Sequence, residues 1–297
     1  MKEKETVQMK VTYFGTTTLL FDDGKDQILF DAHVTRPSLG KYIRNAKAVT
    51  DTALCGRLIR QHQIDRLRAV FISHTHHDHV MDAPYIANAC GAVIYGSESA
   101  RNVALGGGIP EEKIVVFQDG SCFHVGDFTV RVVKSLHSRP TVLNNDLGEP
   151  ITKPLAQPAG LRAYKEGGSY DFYVEHGETK ILIRPSFNYI RGQLDGIKAD
   201  VLFLGVAGLA KADRETEEAF FAETVEKTEA GLVIPVHWDN FFLPLAQPRK
   251  RMPAWVENTE LVFRKLAKYC EAHDVDLVIQ YPCTSIEIGG PRGTLEK

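Results

Sequence analysis

The sequence predicts an α+β protein in which two mixed β-sheets pack face to face with helices on the outside. Three observations carry this. Short β-rich runs joined by hairpin turns fill residues 9–35, and later strands are interleaved with helical segments. No repeat of solenoid length, low-complexity linker or apolar run of ~18 residues divides the chain. Residues 1–297 therefore read as one domain with an internal pseudo-repeat, long enough to bury a large core.

The first strands are Val11–Phe14, Thr18–Phe21 and Gln27–Asp31, the last two joined by a turn at Asp22-Asp23-Gly24-Lys25. A helix follows over Thr52–Gln63, with Leu54, Leu58 and Ile59 on one face. Strand 69–73, helix 82–90, strand 92–95 and helix 97–105 come next, ending at Gly106-Gly107-Gly108. Strands 114–117, 121–124 and 128–136 precede a loop, 138–168, that carries four prolines and no periodicity. A loop of that length in a compact domain is commonly a lid or binding loop. Strands Tyr170–Glu175 and Lys180–Ile183 form a second hairpin. Val201–Leu204 is a short buried strand, Glu215–Glu229 a helix, Leu232–Val236 a strand, Asn258–His273 a helix and Val275–Gln280 the last strand.

Bulk properties narrow the function. A net charge of -3 gives no pull toward nucleic acid or anionic membrane, so neither is an expected partner. The charged start Met1–Val7 has no apolar signal core, and the five scattered cysteines include no CxxC pair. Both point to reduced thiols and a cytoplasmic location. Nothing in the sequence specifies an oligomeric state.

The chemistry is concentrated in His74-Thr75-His76-His77-Asp78-His79, directly after the apolar run Ala69-Val70-Phe71-Ile72-Ser73. Imidazole and carboxylate are the ligands of zinc and its divalent neighbours, and a strand-to-helix turn can hold them rigidly. His74 and His76 can point the same way, and so short a segment suits two adjacent metals better than one. His137 and His237 each close a strand and are the candidate distant ligands. His33, His62, His77, His124, His176 and His273 read as structural.

These residues bring out a likeness. The chain resembles the metallo-β-lactamase-fold hydrolase superfamily, in its lactonase-like and phosphodiesterase-like branch. The matching pieces are Tyr13-Phe14-Gly15-Thr16-Thr17-Thr18, Ile28-Leu29-Phe30-Asp31, His74-x-His76-x-Asp78-His79, His137 and Pro235-Val236-His237-Trp238. The resemblance implies a four-layer αβ/βα sandwich with a metal site at one edge. His74, His76 and His137 would hold one metal, and Asp78, His79 and His237 a second. Zinc is the expected metal, with manganese or iron as alternatives.

One departure stands out. The family's bridging Asp aligns here with Ser186, after Ile181-Leu182-Ile183-Arg184-Pro185. Two dications ~3.5–4 Å apart repel by roughly 15–20 kcal/mol at an effective dielectric near 20. Without the bridging charge, one metal is expected to be firmly bound and the second weaker or absent, unless Asp31 or Asp239 compensates.

The expected function is a metal-dependent hydrolase that turns a metal-activated water on an ester-type bond: a lactone, a phosphodiester or a related small anionic molecule. Asp78, where not fully committed to metal, would orient that water or accept its proton. Arg139, Arg184 and Ser186 are candidate substrate contacts, with Arg249-Lys250-Arg251 as further cations and Phe241, Phe242 and Trp255 as a candidate apolar wall. The alternative is a metal-binding sensor of the same fold with little or no catalysis. A nuclease is disfavoured by the acidic balance.

Overall fold

A computed structural model of the chain describes residues 8–141, 145–247 and 250–289. Residues 1–7, 142–144 of the long loop, and Arg249 lie outside the described residues.

The first half builds β1 (Met9–Tyr13), β2 (Leu19–Asp22), β3 (Gln27–Phe30), α1 (Leu39–Ile43), β4 (Lys47–Ala48), α2 (Thr52–Gln61), β5 (Leu67–Phe71), α3 (His77–Val80), α4 (Ala83–Cys90), β6 (Val93–Gly96), α5 (Glu98–Gly106) and β7 (Ile114–Val116). The second half adds β8 (Cys122–Val125), β9 (Phe128–Ser135), β10 (Ala159–Gly160), β11 (Ser169–His176), β12 (Thr179–Arg184), β13 (Val201–Gly205), α6 (Arg214–Phe221), β14 (Leu232–Val236), α7 (Thr259–His273), β15 (Asp276–Leu277) and β16 (Thr284–Ile288). One sheet runs β16-β1-β2-β3-β5-β6-β7, and the other β15-β14-β13-β12-β11-β9-β8.

Period-two alternation assigns the faces. Val11, Tyr13, Phe21, Ile28, Phe30 and Phe71 point inward to a core shared with Val130, Phe172 and Phe203 of the facing sheet. Rings meet across the gap, with Phe30 and Phe172 at 5.2 Å and Phe21 and Phe203 at 5.9 Å between centroids. The alternate residues Leu20, Leu29, Val70 and Ile72 face outward, where α2, α4 and α5 cover them with Leu58, Ile86 and Val103. Phe220, Phe221 and Leu266 of α6 and α7 pack on the second sheet. This is the αβ/βα sandwich of the metallo-β-lactamase fold.

Three details differ from the sequence reading. The helix expected over 215–229 is α-helical to Phe221, widens into a π-turn over Ala222–Glu226 and returns to α-helix at Lys227 and Thr228. There the hydroxyls of Thr224 and Thr228 donate to the carbonyls of Phe220 and Thr224, four residues back, the habit that bends helices. The last strand expected, 275–280, shrinks to β15. A further strand, β16, pairs antiparallel with β1, so the two ends of the described chain meet in the first sheet.

Topology positions the site. β3 and β5 run parallel, as do β12, β13 and β14, and β9 shares the latter direction through two antiparallel steps. Asp31, His74, His137 and His237 leave the carboxyl ends of β3, β5, β9 and β14 at one edge of the sandwich, where α/β sheets commonly bind ligands.

Candidate metal centre

Two backbone devices turn the strand ends into that edge. Asp31 and His237 both take left-handed backbone, at φ 52° and 60°, which costs a non-glycine residue on the order of 1 kcal/mol. Each is held there: the Asp31 N–H donates to the Phe71 carbonyl (2.9 Å), and the His237 N–H donates to the Thr16 carbonyl (2.6 Å). The turn after β5 is fixed from two sides. The Ala32 N–H donates to the His79 carbonyl, and the buried Asp82 carboxylate accepts the N–H groups of Val34 and Thr35.

The side chains converge in two groups. One ligand atom each from His74, His76 and His137 lie within 4.8 Å of one another, and the same holds for Asp78, His79 and His237. His76 Nδ1 is 3.2 Å from His137 Nε2. Asp78 Oδ2 is 3.4 Å from His237 Nε2 and 3.8 Å from His79 Nε2. The His74 and His79 ring centroids, one from each group, are 3.7 Å apart.

Far-side hydrogen bonds orient the imidazoles of His74, His76, His79 and His137, while His237 Nδ1 has no partner among the described residues. Asp31 is the hub. Its carboxylate accepts from the Ser73 N–H and hydroxyl, the Thr17 hydroxyl and His79 Nδ1, the last at 2.7 Å. The Ser73 hydroxyl, its proton given to Asp31, accepts from His74 Nδ1 at 3.2 Å. His137 Nδ1 donates to the Ser138 carbonyl, and His76 Nε2 donates to Asp146. His74 Nε2 is then left buried with no partner among the described residues, aimed at its group. An unsatisfied buried nitrogen is costly unless something occupies the space before it. With that nitrogen go His76 Nδ1 and His137 Nε2, which face each other at 3.2 Å, and a second group of two imidazoles and a carboxylate; such donor sets fit divalent zinc, manganese or iron.

Electrostatics agree. Burial holds His74 well below the usual imidazole range and His137 at about 3, so both are neutral and able to bind metal. Burial alone would raise the Asp78 carboxyl, but His79, His237 and His77 together hold it well below the ordinary carboxylate range. His237 is lowered by burial but raised on balance by the Asp78 hydrogen bond and charge.

The other expected residues divide. Neither carboxylate proposed to compensate for Ser186 is free: Asp31 is spent on His79, Ser73 and Thr17, and Asp239 on Arg36. Ser186 itself, 5% exposed, lines a cavity of about 860 Å³ that opens over the centre, as does Arg139, which donates to the Thr216 hydroxyl at the rim. Arg184 is a correction. It is buried on β12 opposite Asp171 of β11, 3.1 Å from its carboxylate, and does not line the cavity. Asp171 and the Ser135 hydroxyl, which accepts from Nη2 at 3.3 Å, hold its guanidinium within the second sheet. Arg251 lies outside the cavity and faces Glu260.

Sequence reading passed over Asp146, Tyr42 and Tyr164. Asp146 sits in an aperiodic loop, and only its contact with His76 reveals it. Tyr42 lies in the short α1 and stacks on His77 at 5.1 Å.

Comparison with known proteins agrees with the geometry. The model of the beta-lactamase superfamily domain matches residues 27–238, a span that includes all six converging side chains. A UPF0173 metal-dependent hydrolase of Myxococcus xanthus is 29% identical over 190 residues, 62% of this chain, and the match spans about three fifths (60%) of that relative's length. Among solved structures, Igni18, a metallo hydrolase from the archaeon Ignicoccus hospitalis, superposes with a TM-score of 0.56 at 15% identity, covering 94% of this chain and 98% of that one. An isothiocyanate hydrolase from Delia radicum gut bacteria gives 0.57 at 16% identity, covering 95% and 100%. With the family model spanning well over half of the sequence, and two facing sheets carrying its histidines at one edge, the chain belongs to the beta-lactamase superfamily domain family.

Proposed function

We propose that the protein is a metal-dependent hydrolase, with His74, His76 and His137 holding a first metal and Asp78, His79 and His237 a weaker second. The observation that carries this is the pair of converging groups in which the outer nitrogens of His74, His76, His79 and His137 are tied down and one ligand atom of each residue lies within 4.8 Å of the others in its group. A metal bound there would acidify water toward a pKa of ~7 and polarise the scissile oxygen. The side chains have separate tasks. Asp78, held ionised far below neutrality, is too weak a base to take a proton efficiently and serves to ligate and orient. The cavity walls hold the substrate.

Those walls suit an ester-type substrate with an apolar part and a negative group. Phe241 meets His237 edge-on at 4.9 Å, packs on Phe242 at 4.4 Å, and Phe242 reaches Tyr42 at 5.8 Å, so aromatic surface runs outward from the ligands. Arg139 and Lys211 lie on the rim, where they can draw in a carboxylate or phosphate. Phe242→Ala is expected to lower kcat/KM about tenfold for a long-chain acyl ester and leave an acetyl ester nearly unchanged. Equal losses on both esters would remove Phe242 from the apolar wall.

The test of the whole reading is elemental analysis of metals per chain, joined to a turnover screen of lactones, phosphodiesters and carboxylic esters with zinc or manganese. Bound metal without turnover of any class would favour the sensor reading, which Ser186 at the cavity wall supports.

Acidity separates the two metals. Asp78 raises His237, so a metal at the second group must displace a proton that a growing fraction of His237 carries as pH falls. His74 and His137 stay neutral, because burial keeps both below the ordinary range. The second metal is therefore expected to leave first between pH 8 and pH 6, its affinity falling about tenfold per unit below the His237 pKa. Metal counts after equilibrium dialysis at the two pH values check this, and simultaneous loss of both metals would contradict it.

A further inference from the structure

In the first group, His74 and His137 are each anchored by a sequence neighbour, the Ser73 hydroxyl and the Ser138 carbonyl. His76 has no local anchor. Its Nε2 donates instead to Asp146 Oδ1 at 3.1 Å, 70 residues on, while its Nδ1 faces His137. Asp146 is 9% exposed, within the long connection between β9 and β11.

That connection is fastened to the histidine turn itself. The Thr75 N–H donates to the Glu166 carbonyl at 2.9 Å, and the Thr75 hydroxyl donates to the Lys165 carbonyl. The buried Glu166 carboxylate accepts the Gly148 N–H at 2.7 Å and the Ser169 hydroxyl at 2.6 Å, and the Gly167 N–H donates to the Glu149 carbonyl. The Glu149 N–H closes the turn on the Asp146 carbonyl. Contact is close enough to require glycine: at Gly167, with φ +68°, a Cβ would lie 2.5 Å from Ser99 Cβ and 2.6 Å from the Thr75 hydroxyl. Residues adjacent to His76 and the turn that carries Asp146 thus form one hydrogen-bonded unit.

We propose that Asp146 is the positioning residue for His76, so that the seating of segment 145–168 and metal retention at the first group are two sides of one equilibrium. This rests on the metal-centre reading above. A carboxylate on Nε2–H fixes the tautomer that leaves the Nδ1 lone pair facing His137, and it raises the basicity of that nitrogen. Linkage then runs both ways: a metal that holds the His76 ring holds Asp146, and through Glu166 and Thr75 it holds the segment.

Zinc alone is the probe, in the full chain. Asp146→Ala is expected to weaken zinc binding at the tighter site 10- to 100-fold in chelator competition, with the far-UV spectrum unchanged. Asp146→Asn, whose amide oxygen can still accept from Nε2–H, is expected to recover part of that loss, which a merely structural role for the charge would not predict. Zinc is expected to slow amide exchange at Gly148 and Gly167 in the wild type and to do so far less in Asp146→Ala. Wild-type zinc affinity in Asp146→Ala, or exchange at these amides that ignores zinc in the wild type, would overturn the proposal. A wild-type chain that binds no zinc, manganese or iron would instead overturn the metal-centre reading beneath it.

Discussion

His76→Ala is expected to lose turnover by at least ~10³-fold and to lose the tighter metal while keeping its fold. Each tenfold is about 1.4 kcal/mol of barrier, and what is at stake is the activation of water itself, whose pKa shifts by almost nine units on a catalytic zinc. The fold should survive because His76 contributes to it through its backbone. Its carbonyl accepts the N–H groups of His79 and Val80, which alanine preserves, and its side chain makes no capping bond to α3. The ring's contacts are with the His74 and His137 rings, at 4.9 and 4.6 Å, and with Asp146, so its loss falls on the metal group rather than on the apolar cores. Metals per chain, kcat/KM and thermal midpoint, measured on one preparation, decide the matter. Full metal content with full turnover would remove His76 from the chemistry, and a midpoint far below that of the metal-free wild type, both chains stripped of metal, would show that the side chain is structural.

How much of this was legible depended on whether the signal was local. The histidine turn could be read because its ligands are consecutive and follow an apolar strand, and β1 to β3 because alternation and an Asp-Gly turn are short-range patterns. His137 and His237 were readable as strand ends, though a lone histidine carries no ligand signal by itself. Arg184 misled because an arginine near a site resembles a substrate clamp, whereas its place is decided by Asp171 on the neighbouring strand and the Ser135 hydroxyl beyond it. Asp146 was invisible for the opposite reason: its partner is 70 residues away, and no period links them. β16 was missed because an edge strand of mixed polarity, paired with the far end of the chain, has no apolar run to announce it. Asp239 looks available for metal beside His237 in the sequence, but its partner, the buried Arg36 guanidinium, lies 203 residues away.

That guanidinium carries the second large prediction. Arg36 Nη1 donates to Asp239 Oδ2 at 2.7 Å with both side chains fully buried, and its Nη2 donates to the Phe14 carbonyl at 2.7 Å. The other Asp239 oxygen accepts the Thr16 N–H at 2.7 Å and the Tyr13 hydroxyl at 3.0 Å. Gly15 is required beneath it: its φ is +96°, and a Cβ there would lie 1.9 Å from Arg36 Nη2. The pair thus ties the turn after β1 to the residue two beyond His237, while the His237 N–H donates to that same turn at Thr16. Arg36→Met is expected to cost about 3–5 kcal/mol of stability, because it strands a buried carboxylate. It should also weaken the second metal more than the first, since His237 hangs on this turn and His74, His76 and His137 do not. The double variant Arg36→Met/Asp239→Asn, which removes the stranded charge, should recover part of the stability, and with the single Asp239→Asn variant it completes the cycle that measures the coupling. Chemical denaturation of the metal-free chain, with metal titration of the same variants, reads both effects. If Arg36→Met alone unfolds like wild type, the pair contributes little, and the left-handed turn at His237 must be held by the Thr16 bond and packing instead.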